Sequence, residues 1–330
     1  MPSDVSERHI EVICPVYREA EGIQAFHAEL SGVLDKIADR YTSRVLYVMD
    51  PSSDETERRL EEICASDPRV RTLVLSRRFG HQAALVAGLE HCHGDAAVML
   101  DSDGQHPPEV ILDLLEAFER GADVVQAVRQ DAPRTGWFKR KTSELFYRLM
   151  SRLASIDLRV GSADFRLLSR RVVDVFRDQL PERNPFIRGL TSWVGFTVAY
   201  VGFTSRDRES GTSKYSLRLL IEFAATGVTS FSKFPLRAAA GIGVVMSTLS
   251  VVYGCIAIAA YFTQNYVAPG WTSLLAVISF IGGLQLLFLG VIAEYVGQIF
   301  DEVKGRPRYL IARTIGDPGS ATGAQGEHVG

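Results

Sequence analysis

The 330-residue chain has little with which to build a covalent framework. Its four cysteines, Cys14, Cys64, Cys92 and Cys255, lie far apart, with no C-x-x-C and no paired spacing. That argues against a disulfide scaffold and a zinc site, and leaves the thiols as small apolar side chains suited to a reducing compartment. A basic surplus is missing too: 36 Lys and Arg stand against 39 Asp and Glu, a formal net charge of -3. Nothing neutralises phosphates at large, so nucleic acid is not expected as the main partner. The first residues, MPSDVSERHIEV, contain no apolar h-region and predict no cleavable secretory signal. No G-x-G-x-x-G follows the first apolar run, which disfavours a dinucleotide dehydrogenase. Charge itself is absent between Arg237 and Glu294.

That uncharged span holds two apolar runs, roughly Leu236–Phe262 and Trp271–Ala293. Each exceeds the ~20 residues a helix needs to cross a bilayer. The intervening TQNYVAPG has a Pro-Gly turn, so residues 235–299 are predicted as a transmembrane hairpin. A pair of buried core helices is the other reading, but such helices rarely run this long without a charge. Lys214, Arg218, Lys233 and Arg237 precede the hairpin, and Lys304, Arg306, Arg308 and Arg313 follow it. Positive charge at both ends predicts that both termini face the cytoplasm and that the domain before the hairpin rests on the inner leaflet. Leu217–Lys233 is amphipathic and predicts a juxtamembrane helix over 215–234 that runs along the membrane surface. Residues 300–330 are expected as a basic cytoplasmic segment ending in a disordered Gly-rich tail from Gly316. Small residues from Ala238 to Gly243 suit close packing against another helix, a route to a homo-oligomer.

Before the hairpin, apolar runs alternate with helical patterns. Strands are expected at Ile10–Cys14, Arg44–Met49, Val70–Leu75, Ala96–Leu100 and Ala122–Val128. Helices are expected at about Glu21–Arg40, up to Ala65 after an Asp54 cap, Ala83–His91 and Pro108–Arg120. This alternation predicts an α/β domain over 1–214 with a mostly parallel, doubly wound sheet.

The most informative stretch is DSDGQHPPE, Asp101 to Glu109, directly after a strand. Open α/β sheets bind ligands at the carboxyl ends of their strands, and D-x-D lets both acids turn toward one point. Two carboxylates without a thiol suit a hard cation, Mg²⁺ or Mn²⁺, that keeps positions open for a diphosphate. A solvated acidic turn is the plainer alternative. Asp50, ending the second strand, would share the same rim, toward base or ribose. Further on, GWFKRKTSELFYRLMSRL sets Lys139, Arg140 and Lys141 beside Trp137 and Phe138, either to sit at a membrane surface or grip a phosphate, or as an ordinary amphipathic helix. Ser162–Leu168 reads as the start of a strand carrying Asp164 and Arg166. Arg206–Tyr215 is a Gly-Ser loop with Arg208 and Lys214, able to close over phosphates or simply a surface loop.

Nine segments in order, CPVYREAEGI, RRFGHQAALVAGL, DSDGQHPPE, WFKRKTSELFYRL, SADFRLLSRRVVD, ERNPFIRGLTSWVGF, SGTSKYSLRLL, SFSKFPLR and AEYVGQIFDEVKGRPRYL, carry a resemblance over about Ile10–Ile311. The chain resembles family 2 glycosyltransferases of GT-A fold, specifically polyisoprenyl-phosphate glycosyltransferases of the dolichol-phosphate mannose synthase type and, among these, the bacterial undecaprenyl-phosphate glucosyltransferases. The resemblance implies that Pro15, Tyr17, Glu19 and Asp50 line the nucleotide sugar, and that Asp101 and Asp103 hold the metal with Gln105 in the same loop. It places Asp164 near the reacting carbon, as an orienting residue or optional base, with Asp103 also in the catalytic set. It assigns Arg129, Lys139, Arg140, Ser143, Arg208 and Lys214 to phosphates of donor or acceptor. The implied reaction is inverting transfer of a hexose to polyprenyl phosphate, glucose from UDP-glucose by group and mannose or an aminoarabinose derivative otherwise. A separate flippase is the implied downstream partner. Three positions depart from the family: Asp-Asp-Gly-Ser reads Met49-Asp50-Pro51-Ser52, Tyr-Asn-Glu reads Tyr17-Arg18-Glu19, and Gln-Asp-Pro-Pro reads Gln105-His106-Pro107-Pro108. The first bears on base recognition. A processive polysaccharide synthase is disfavoured, since Gln-x-x-Arg-Trp is missing and only two spans exist to form a channel. A non-catalytic nucleotide- or lipid-binding membrane scaffold is the rival from another class.

Overall fold

The computed structural model describes residues 8–130, 162–180, 182, 187–206, 234–264 and 270–316. Lys139, Arg140, Ser143, Arg208, Lys214, all but the last residue of the juxtamembrane helix expected over 215–234, and the tail beyond 316 lie outside the described residues. The chain divides into two units, a sheet unit of residues 1–149, 156–214 and 307–330, and a helical unit of 150–155 and 215–306.

The sheet unit opens β1 (Arg8–Val16), α1 (Ile23–Asp35), β2 (Tyr41–Met49), α2 (Thr56–Ser66), β3 (Val70–Leu75), α3 (His81–Glu90), β4 (Ala96–Met99), α4 (Val110–Glu119) and β5 (Val124–Arg129). It continues with β6 (Ser162–Ser169), α5 (Arg170–Asp178), α6 (Ile187–Trp193) and β7 (Val198–Phe203). After the helical unit it closes with β8 (Ile311–Ile315). The sheet order is β7-β5-β6-β4-β1-β2-β3-β8. Strands β3, β2, β1 and β4 are mutually parallel, as are β5 and β7. The expectation of a mostly parallel, Rossmann-like sheet holds, with two antiparallel exceptions. β6 runs against both β4 and β5, and β8 runs against β3.

The parallel centre forms because its strands are apolar on both faces. Val12, Ile13, Cys14, Leu46, Tyr47, Val48 and Ala96–Leu100 have essentially no exposure, as expected where helices cover both sides. α3 lies against β1 so closely that a Cβ on Gly88 would meet Ile13 Cγ2 at 2.2 Å. Glycine is what allows that approach, and a methyl here would overpack the core by about 1–3 kcal/mol.

β8 was not foreseen, because residues 300–330 read as a basic segment and tail. Tyr309 and Ile311 pack on Leu46, Val48, Leu73, Leu75, Ala84 and Ala87, a small apolar cluster separate from the main core. Arg308 pairs with Glu90 at 3.0 Å, and Tyr309 donates to the same carboxylate. These contacts tie the chain leaving the helical unit to the far end of α3.

The helical unit holds α7 (Phe234–Gln264) and α8 (Trp271–Val303), of 31 and 33 residues. At 1.5 Å per residue they are about 46 and 50 Å long, against a hydrocarbon core of about 30 Å. Each contains a window long and apolar enough to cross a membrane, Pro235–Tyr253 with mean hydropathy 1.5 and Phe280–Val303 with 1.7. Large apolar side chains such as Val244, Leu286 and Leu287 are exposed, while the hydroxyls of Thr248 and Ser250 bond back to the carbonyls of Val244 and Met246. A hydroxyl satisfied within its own helix is what a medium without water requires. α8 runs ten residues past the Ala293 end expected from hydropathy, because Glu294–Val303 keeps helical spacing after the apolar run stops.

Candidate active site

Four adjacent parallel strands deliver their ends to one rim. The turns after β1, β2, β3 and β4 enclose a cleft of about 220 Å³, lined by Pro15, Tyr17, Glu19, Asp50, Asp101 and Asp103 among others. All six were expected from sequence. Gln105 stands behind Asp103, its backbone N–H donating to one carboxylate oxygen at 3.1 Å and its side-chain amide to the other at 2.8 Å. Gly104 between them has φ 74°, a left-handed turn that glycine adopts without Cβ strain. Ser102 donates to the Pro15 carbonyl at 2.8 Å, fixing the β4 turn against the β1 turn.

Asp50, besides lining the cleft, fixes a neighbouring turn. It is buried, and its two oxygens accept the backbone N–H groups of Phe79 and Gly80 at 3.0 and 2.8 Å. The carboxylate clamps the β3–α3 turn and so fixes His81, the first residue of α3. Asp54 accepts from Ser52 and Thr56, and Thr56 in turn accepts the Glu19 N–H at 3.0 Å, joining the β1 turn to the start of α2.

Asp164, on β6, is the most heavily paired acid in the site. Arg166 donates to it at 2.7 Å and Arg188 at 2.9 Å, while His81 Nε2 stands 3.7 Å away. Burial opposes its ionisation, but the His81 contact and the Arg188 and Arg166 charges outweigh that and hold its carboxyl well below the usual carboxylate range. Arg166 is wholly buried, and burial brings its pKa down to about 10 against the pull of Asp164. Asp101 is the opposite case. Its Oδ1 is shielded from solvent and accepts no hydrogen bond, and burial raises its pKa although His81 and His106 each stand 3.5 Å from its oxygens. His106 stacks on Phe165 with centroids 5.4 Å apart and meets Phe203 edge-on, so the imidazole in place of the family's acid is packed into the wall behind Asp101. His81 links the two acids. Burial lowers its pKa, but Asp164 and Asp101 together raise it above the ordinary value.

His81, Arg166, Arg188 and His106 were not among the expected site residues, although every one lies inside a segment that carried the resemblance. Positions 81, 164 and 188 are far apart in sequence, and no spacing rule joins them. Arg129 ends β5 exposed and does not line the cleft.

The donor set fits a hard divalent cation. A shielded carboxylate oxygen without a donor, with a second acid two residues on, is a position that a cation satisfies and a neutral ligand does not. Among the described residues no cluster of three or more His, Cys, Asp or Glu forms a closed cage. An ion here would therefore take further oxygens from its ligand, as Mg²⁺ and Mn²⁺ do with phosphates.

A mostly parallel sheet with paired acids just past the end of β4 is a frame that can hold a diphosphate-bearing ligand at its rim. The model of the glycosyl transferase family 2 matches residues 11–176, from β1 through α5, and the chain belongs to that family. Relatives match nearly end to end. The uncharacterized glycosyltransferase YkcC of Bacillus subtilis is 39% identical over 311 residues, 94% of this chain and 95% of the relative. The SfII prophage-derived bactoprenol glucosyl transferase of Shigella flexneri is 39% identical over 305 residues, 92% of this chain and 98% of the relative. The prophage bactoprenol glucosyl transferase homolog of Escherichia coli is 38% identical over 304 residues, with the same two coverages.

Proposed function

We propose that this protein transfers a hexose, glucose from UDP-glucose, to undecaprenyl phosphate at the cytoplasmic face of the membrane, giving a lipid-linked sugar. The observation that carries this reading is the 39% identity to a bactoprenol glucosyl transferase along 98% of that relative, which spans the catalytic sheet and both apolar helices alike. The helices supply a means of staying where a polyprenyl substrate resides. That β8 belongs to the same sheet as β1–β7 supports a hairpin whose two ends return to one side, as the flanking positive charges also do.

Asp101 and Asp103 would hold the cation. When bound, it neutralises charge developing on the nucleoside diphosphate leaving group. Gln105 keeps Asp103 turned toward the cleft, and His81 and His106 keep Asp101 in place. The acceptor, a phosphate monoester with a second pKa of roughly 6, is mostly dianionic at neutral pH and can attack without a strong base. Asp164, held ionised by two arginines, is a poor proton acceptor. Its role in this reading is to set Arg188 and orient His81 at the reacting end, where the guanidinium charge would stabilise the phosphate oxygens of the leaving diphosphate or of the acceptor.

The test incubates membranes containing the protein with radiolabelled nucleotide sugars, one at a time, and undecaprenyl phosphate. Label from UDP-glucose entering the organic phase is expected. Label from GDP-mannose alone would replace the donor, and no label from any sugar would sink the reading.

A further inference from the structure

The loops after β1 and β3 flank the end of β2, and each brings an arginine to the same aromatic ring. Arg18 Cζ lies 5.3 Å from the Tyr17 ring centroid and Arg78 Cζ lies 4.2 Å from it. Tyr17 and Arg78 both line the cleft. Both guanidinium groups belong to exposed residues, and neither has a carboxylate partner among the described residues. This sets them apart from Arg188, Arg206, Arg308 and Arg313, all of which are paired. A third cation stands next to them: Arg77 lies 4.0 Å over Phe79 and donates to the Arg78 carbonyl. The neighbouring acid Asp50 is occupied by the Phe79 and Gly80 N–H groups.

The backbone adds an independent observation. Arg18 has φ 58° and is the only non-glycine residue among those described with a positive φ. Left-handed backbone suits glycine or asparagine, and asparagine is what the resembled family carries at this position. An arginine held in an unfavourable conformation, beside a second unpaired arginine, is strain kept at a ligand-facing edge.

We propose that Arg18 and Arg78 form an oxyanion seat on the Asp50 side of the cleft, which takes a phosphate-type group. Each guanidinium stands within 5.3 Å of the same ring and presents a planar fork that matches phosphate oxygens, and a phosphate-type anion supplies the counter-charge that no described carboxylate does. The group comes either from a nucleoside diphosphate in the cleft, which rests on the transferase reading, or from a phospholipid headgroup at its mouth. Because neither arginine is a ligand of the Asp101–Asp103 position, the seat works without metal.

The full-length protein in detergent with excess EDTA is titrated with UDP, GDP and uridine, and separately with dihexanoyl phosphatidylglycerol and dihexanoyl phosphatidylcholine. Wild type is compared with Arg18→Asn, Arg78→Gln and the double variant. Charge-assisted hydrogen bonds predict a loss of about tenfold or more in the double variant for one phosphate source, with uridine or phosphatidylcholine binding unchanged. Loss toward UDP and GDP assigns the seat to the donor, and loss toward phosphatidylglycerol assigns it to the lipid. A double variant matching wild type for both sources overturns the seat. Arg18→Asn removes the strained arginine, so its thermal midpoint should equal or exceed that of wild type, which separates loss of charge from misfolding. Wild type that binds no nucleoside diphosphate even with Mn²⁺ would defeat the transferase reading, while the lipid arm would still test the seat.

Discussion

At the start of β6, Asp164 is gripped by Arg166 and Arg188 at 2.7 and 2.9 Å and kept ionised. At the end of β4, Asp101 is partly buried, yet one of its oxygens has no donor and burial pushes its pKa up. The contrast separates an acid whose hydrogen bonds are complete from one with an oxygen still lacking a donor. Only the second is poised to bind a cation, and only the first can organise positive groups around a substrate. His81, in contact with both, is the joint between the two halves of the site.

Removing either acid of the Asp101–Asp103 pair should have the largest effect. Asp103→Ala or Asp101→Asn is expected to lower turnover by at least about 10³-fold, the scale of a lost charge-stabilising group. Mn²⁺ binding followed by electron paramagnetic resonance should disappear with it, and excess chelator should reproduce the loss in wild type. Breaking the complete pair should instead show in stability. Arg166→Met leaves a buried acid short of a partner and is expected to cost about 3–5 kcal/mol in chemical denaturation. Asp164→Asn divides its effect between stability and rate. Its rate loss should stay well short of the ~10⁴-fold of a missing general base, as measured by kcat/KM on the surviving folded fraction. The smallest effect is the control. Arg313 bridges Glu57 and Glu61 at the surface with its side chain 51% exposed, and Arg313→Ala should change stability by less than about 1 kcal/mol.

The comparison also marks where sequence is readable. The span Val70–Leu75 and the D-x-D turn could be read because a short apolar run and a motif are local facts. The acid pair was found for the same reason. The partners of Asp164 were not, because Arg188 arrives on a separate short helix and His81 on α3, held by an Asp50 clamp that no spacing reveals. Arg166 was noted beside Asp164, but not that its strand runs antiparallel between β4 and β5, since strand direction depends on pairing across the sheet. Arg18 read as a departure from the family, and only its backbone angle shows what the exchange demands.

β8 sets an order of events on the ribosome. The strand that covers the open side of β3 is encoded after both long apolar helices, so synthesis must complete those helices before the last edge of the sheet exists. Until then β3 presents unpaired N–H and C=O groups, a template for wrong partners. Nascent chains stalled or truncated after Val303 should therefore carry a sheet unit that is sticky rather than merely inactive, and that sheds its tendency to aggregate once the final strand is restored.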